Sequence, residues 1–138
     1  MAEKLLMDLV TPYRKVLSVE VDEITATGSL GEFGVLPGHA PFLTSLKIGE
    51  LSYRHGGITD HLALNWGYFE VEDDKVTILV ETAELADEID LVRARAALTR
   101  AEEAMRKLLP EDKEFRKYEL ALERALIRVQ VAAKAARK

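Results

Sequence analysis

The segment from Gly28 to Leu51, GSLGEFGVLPGHAPFLTSLKIGEL, constrains this chain more than any other. Its centre, Gly31–Pro41, reads GEFGVLPGHAP, and four glycines and two prolines fall between Gly28 and Pro41. Glycine reaches backbone angles that other residues avoid, and proline fixes its own φ. A solvated linker could carry the same punctuation, but not Phe33, Val35 and Leu36 within it. The segment is therefore expected to be a compact, ordered turn system. Gly31, Gly34 and Gly38 let the backbone fold tightly. The three apolar residues anchor it to a core. Glu32 and His39 remain as polar groups facing outward.

Short strand signals surround this segment. Leu5–Thr11 is strand-like, and Pro12 leads into a turn over Tyr13–Lys15. Val16–Ala26 is rich in β-branched residues, with Val19, Val21 and Ile24 near period two, and is read as one strand. Thr44–Leu46 and Glu50–Arg54 follow, and His55-Gly56-Gly57 is a hairpin turn signal. Ile58–Asn65 and Tyr68–Val71 are read as two strands around Trp66-Gly67. Glu72–Lys75 is a polar turn before a last strand, Val76–Val80. Many short strands at close spacing imply an all-β sandwich or barrel.

The period changes near Thr82, and Glu84–Glu88 reads as an acidic linker. Asp90 is placed to cap a helix starting at Leu91. Leu91, Ala94, Leu98, Ala101, Met105 and Leu108 recur at helical spacing. Pro110 ends that helix, and Glu111 and Asp112 sit where a second one starts. Its stripe runs through Phe115, Tyr118 or Leu122, Ala125, Val129 and Ala132. The short connection makes the pair an antiparallel hairpin. Alanines line both helices, so the seam buries little apolar area, while high helix propensity supports each helix alone. That combination permits a hairpin that opens while its helices persist; the alternative is a static, alanine-packed hairpin. The fold class is α+β: a β-domain over residues 1–85, then a helical hairpin over residues 86–138.

Charge divides at the same place. The net charge is −5. Residues 1–86 hold 6 Lys/Arg against 14 Asp/Glu, whereas residues 87–138 hold 13 against 10, and five basic residues with no acid run from Arg124 to the end. The asymmetry suggests two modules with different partners, or else a solvated helix face. No aromatic interleaving marks a nucleic-acid surface. The chain has no cysteine, so disulfides and thiolate metal sites are excluded. No metal-ligand spacing of the HExxH type, no GxSxG elbow and no phosphate loop of the GxxxxGK[ST] type occurs. No apolar run approaches the ~20 residues that cross a bilayer. The opening MAEKLLMDLV lacks a leader pattern, so the cell interior is the expected address.

With these residues in view, the sequence resembles the ε subunit of F-type ATP synthases. GEFGVLPGHAPFLTSLKIGEL is similar to that family's N-terminal signature, and IDLVRARAALTRAEEAM and YELALERALIRVQVA follow in the family's order. The resemblance covers essentially the whole chain. It implies a β-sandwich of about ten short strands followed by the two-helix domain. It also implies a non-catalytic subunit of the central rotor stalk, seated against the γ subunit and the c-ring. Helices that can extend toward the α and β catalytic subunits would restrain ATP hydrolysis. The implied location is peripheral, on the cytoplasmic face of the bacterial inner membrane, without insertion.

The resemblance assigns Glu32 and His39 to c-ring docking, although His39 could instead hydrogen-bond locally and hold the loop. IDLVRA, Ile89–Ala94, resembles the IDxxRA motif of ε subunits that bind ATP. Glu84, Ile89, Asp90 and Ala94 fall at positions matching that family's nucleotide site, and Arg93, Arg100, Arg124 and Arg128 join them as candidates if the hairpin closes, with ATP as a regulatory ligand and no required cofactor. Arg93 and Arg100 lie two turns apart, and Arg124 and Arg128 one turn apart. Forked guanidiniums suit a polyphosphate. The competing reading is that Asp90 only caps the helix and the arginines pair with Glu102, Glu119 or Glu123. A stand-alone ATP-binding sensor without a rotor role is the alternative function. Trp66, Tyr68 and Phe69 are expected in the core or on a γ-facing surface, and His55 and His61 in a turn and on a strand face.

Overall fold

The computed structural model describes residues 3–135. The chain divides into two compact units, Met1–Leu85 and Ala86–Lys138. Among the described residues the first holds eight strands: β1 (Leu5–Val10), β2 (Lys15–Val21), β3 (Glu23–Gly28), β4 (Gly31–Val35), β5 (Phe42–Leu46), β6 (Gly49–His55), β7 (Ile58–Glu72) and β8 (Lys75–Leu85).

These strands form a sandwich. One layer contains β2, β1, the first half of β8, the second half of β7, and β5. The other contains β4, β3, β6, the first half of β7 and the end of β8. The β1–β8 pair is parallel, and the remaining pairs are antiparallel. Alternate residues point inward, as period two requires. Leu5, Met7 and Leu9 on β1, Val76, Ile78 and Val80 on β8, and Leu62, Leu64, Phe69 and Val71 on β7 fill the core.

Eight strands replace the expected ten because β7 and β8 each belong to both layers. Their antiparallel register continues from Leu62↔Leu85 to Glu72↔Lys75, interrupted only where Trp66 faces Glu81. At that point the ribbon bends, and Trp66 has φ +20°. Gly67 makes the bend possible: a Cβ there would lie 1.9 Å from the Leu79 carbonyl oxygen and 2.7 Å from Val80 Cα. Counting each half separately gives ten segments. Val16–Ala26, conversely, is two strands. The chain breaks at Asp22 because β2 and β3 lie in different layers, and the Asp22 carboxylate receives Lys4 and, at 3.8 Å, Arg54.

Two hairpin turns have both central residues at positive φ, the type I′ pattern. Gly56 and Gly57 lie at +56° and +78°, and Asp73 and Asp74 at +50° and +61°.

The second unit begins with a 3₁₀ turn, Ala86–Glu88, then α1 (Leu91–Arg106) and α2 (Phe115–Ala135). Asp90 is the N-cap of α1, and its Oδ1 accepts from the Arg93 amide at 3.1 Å. α2 packs on α1 and also on the 3₁₀ turn, so the chain returns alongside itself as an antiparallel hairpin. α2 starts three residues beyond Asp112. That carboxylate accepts from the Leu109 amide at 2.7 Å, closing the turn around Pro110 instead of capping α2. Ala94, Ala101, Ala125 and Ala132 are buried, with Val131, and form the seam.

Candidate functional site

The signature segment is rigid, but not for every reason expected. Gly28–Gly31 closes the β3–β4 hairpin, and Gly31 has φ +125°. The Ser29 amide donates to the Ser45 carbonyl at 3.1 Å, and the two hydroxyls lie 2.5 Å apart. Leu30 at the tip is fully exposed. Phe33 packs edge-on against Phe42 and Phe69, with centroids 5.4 and 4.9 Å away, and Val35 is completely buried. Leu36, expected as an anchor, is 54% exposed. Gly34 lies within β4 opposite Thr25, with no positive φ and room for a Cβ, so it does not shape a turn.

Leu36–His39 is a type II β-turn. Pro37 occupies the second position, Gly38 the third with φ +85°, and the His39 amide donates to the Leu36 carbonyl at 3.2 Å. The Gly38 amide donates to Asp74 Oδ1 at 2.7 Å. His39 is half-buried. Its Nδ1–H donates to the Ala40 carbonyl at 2.7 Å, and its ring lies 5.6 Å from that of Phe42, edge-on. His39 thus makes the local hydrogen bond considered from the sequence. Glu32 is exposed on β4 opposite Thr27. The two candidate docking residues are not one cluster: Glu32 lies beside the hairpin tip and His39 beyond the far end of β4.

Of the candidate nucleotide residues, Glu84 is on β8, opposite Ala63. The other seven belong to the helical unit. Ile89 and Ala94 are buried core residues, Asp90 is the cap, and Arg93 and Arg100 are exposed. Arg93, Arg100 and Arg124 each immediately precede a seam alanine, so these positions border the seam at ~100° per residue. Arg124 and Arg128 are half-buried. Glu119 pairs with Arg116 at 2.5 Å. The basic run that starts at Arg124 is described through Lys134. Arg137 and Lys138 lie outside the described residues.

The aromatic trio separates. Phe69 is core, whereas Trp66 and Tyr68 are 39% and 60% exposed. With Val10, Pro12 and Leu79 they line an open apolar groove of about 430 Å³ on the sandwich. Spacing could not reveal it, because the bend at Gly67 determines which side these residues face. His55 and His61 pair with Asp60 and Glu50 at 2.9 and 2.7 Å. Among the described residues, no three His, Cys, Asp or Glu side chains converge to hold a metal. No helix among them is long and apolar enough to cross a membrane.

Residues 4–86 match the family described as ATP synthase, delta/epsilon chain, beta-sandwich domain, and residues 87–133 match the corresponding long alpha-helix domain. The chain belongs to the ATP synthase epsilon-chain family. It is 79% identical to the ATP synthase epsilon chain of Geotalea uraniireducens and 78% identical to that of Geobacter sulfurreducens, over the full length of each. Among solved structures it resembles a chain of the Euglena gracilis mitochondrial ATP synthase OSCP/F1/c-ring assembly. That likeness has a TM-score of 0.80 at 27% identity and covers 98% of this chain and 82% of the other. This epsilon chain is thus a subunit of the rotary complex, built as a β-sandwich and two helices.

Proposed function

We propose that this epsilon chain is a non-catalytic coupling and regulatory subunit. In this reading the sandwich docks on the γ subunit and the c-ring at the cytoplasmic face of the bacterial inner membrane. The carrying observation is the signature segment itself. It is a turn system tied down at both ends of β4, with the exposed Glu32 carboxylate beside one tie and His39 at the other. A docking surface benefits from such preorganisation because little entropy is lost on contact. The apolar groove at Trp66, Tyr68 and Leu79 suits the γ subunit.

The hairpin is the regulatory arm. Its alanine seam buries little area per residue, which lowers the cost of separating the helices. ATP would bridge Arg93, Arg100, Arg124 and Arg128 and hold the hairpin shut. Ile89, Asp90 and Ala94 would shape the start of α1. The extended arm would meet the α and β subunits through its basic end.

Glu32→Ala and His39→Ala are expected to lower copurification of the assembled enzyme with the c-ring and to weaken proton coupling without unfolding the sandwich. Unchanged retention would reject the docking reading. Titrating ATP into the chain is expected to give heat and amide-shift changes. Silence at millimolar ATP would reject the nucleotide site. Deleting Ala121–Lys138 is expected to raise ATP hydrolysis by the assembled enzyme. Copurification with γ separates this function from a stand-alone ATP sensor.

A further inference from the structure

A type II turn satisfies only the amide of its fourth residue. The amide of the third residue, here Gly38, points away from the turn and needs a partner elsewhere. That partner is the Asp74 carboxylate, 2.7 Å away and 36 residues later in the chain. Asp74 is itself held in an uncommon place. It lies at φ +61° in the two-residue turn between β7 and β8, and its backbone carbonyl accepts the Leu6 amide at 2.9 Å.

We infer that Asp74 is a positioning residue: through the Gly38 amide it fixes the Leu36–His39 turn to the β7–β8 hairpin, and so sets where His39 is presented. Two features support this. An ionised acceptor makes a stronger hydrogen bond than a neutral one. A left-handed aspartate in a type I′ turn is also less favourable than glycine at the same position, so the side chain's contact offsets a local backbone cost. The functional consequence rests on the docking reading above.

The side chain and the backbone can be tested separately. Asp74→Gly keeps the left-handed turn, relieves its strain and removes the carboxylate, whereas Asp74→Asn keeps an oxygen acceptor. In the purified full-length chain, Asp74→Gly is expected to speed hydrogen exchange at the Gly38 amide by about tenfold or more, with Asp74→Asn between that variant and the parent. The Leu6 amide, bonded to the backbone of residue 74, serves as the internal control and stays protected in both. In the assembled enzyme, Asp74→Gly is expected to lower c-ring retention, with Asp74→Asn lowering it less. Parental exchange at Gly38 in Asp74→Gly would overturn the anchor. Fast exchange with full retention, while Glu32→Ala and His39→Ala do lower retention, would overturn the positioning role. If none of the three variants alters retention, the docking reading fails and the positioning role falls with it, while fast exchange would still establish the anchor.

Discussion

Gly67→Ala provides a sharp test of the bent ribbon. Gly67 does not lie at positive φ, so the substitution carries no left-handed penalty, and its cost is steric. The added Cβ would meet the Leu79 carbonyl oxygen at 1.9 Å and Val80 Cα at 2.7 Å, and both are backbone atoms that no rotamer change can clear. Ordinary contact begins near 3.4 Å, so β7 and β8 must separate locally by more than an ångström. That strains the ladder at Gly67↔Val80 and Tyr68↔Leu79. Overpacking costs ~1–3 kcal/mol, and each weakened ladder bond adds ~1 kcal/mol. A loss of ~3 kcal/mol or more is expected. For a unit the size of Met1–Leu85, at ~4–8 °C per kcal/mol, Tm falls by at least about 12 °C. The assay is thermal unfolding followed by circular dichroism. Emission from Trp66, the single tryptophan, reports on the bend itself. Gly56→Ala is the matched control: φ is +56° and nothing lies within 4 Å of an added Cβ, so only ~1–2 kcal/mol of backbone strain is expected. A Gly67→Ala variant that melts no lower than Gly56→Ala would refute a steric requirement for glycine at the bend.

Other outcomes follow from groups already described. Asp90→Ala removes the cap of α1 and is expected to destabilise the hairpin by ~1 kcal/mol, with Asp90→Ser close to the parent, as measured by melting of the helical signal. Ala101→Leu overpacks the seam and is expected to cost the hairpin ~1–3 kcal/mol while the sandwich transition stays in place. Two carboxylates titrate below their ordinary 3.8, Asp8 chiefly because the Ser18 hydroxyl donates to it and Asp22 chiefly because of Lys4, with burial opposing both. A lowered folded-state pKa gives stability that is present above the unfolded value and lost as pH falls through the folded one. Stability should therefore decline from about pH 4 downward, and Asp8→Asn or Asp22→Asn should flatten that acid limb in denaturant titrations at stepped pH. An unchanged limb in both variants would refute the assignment.

Local signals were the legible part of this chain. The i, i+3, i+4 stripes gave both helices, Asp90 gave the start of α1, and Gly56-Gly57 gave the β6–β7 turn. Those features depend on neighbours a few residues apart. What escaped depends on the passage of the chain between layers. Asp22 divides one β-branched run because β2 and β3 lie in different layers. Trp66-Gly67 resembles a loop in sequence, yet it is a bend inside one continuous strand. Trp66 and Tyr68 therefore lie at the surface while Phe69 is enclosed. The candidate docking residues could be named by similarity to a family, but Asp74 could not: its role depends on a contact spanning 36 residues. The seam alanines were visible as a composition. That Arg93, Arg100 and Arg124 border them followed only from the helical register.

The ribbon of β7 and β8 also determines how the sandwich responds to force. A sandwich of two separate sheets can slide or open along its interior plane, since only side-chain packing joins the layers. Here two adjacent strands cross from one layer to the other, hydrogen-bonded to each other on both sides of the bend. A displacement imposed on the layer containing β1 is therefore carried by covalent backbone into the layer containing β6. The two faces cannot part without straining the ribbon at its Trp66–Gly67 bend, so that bend carries any load that would open the sandwich.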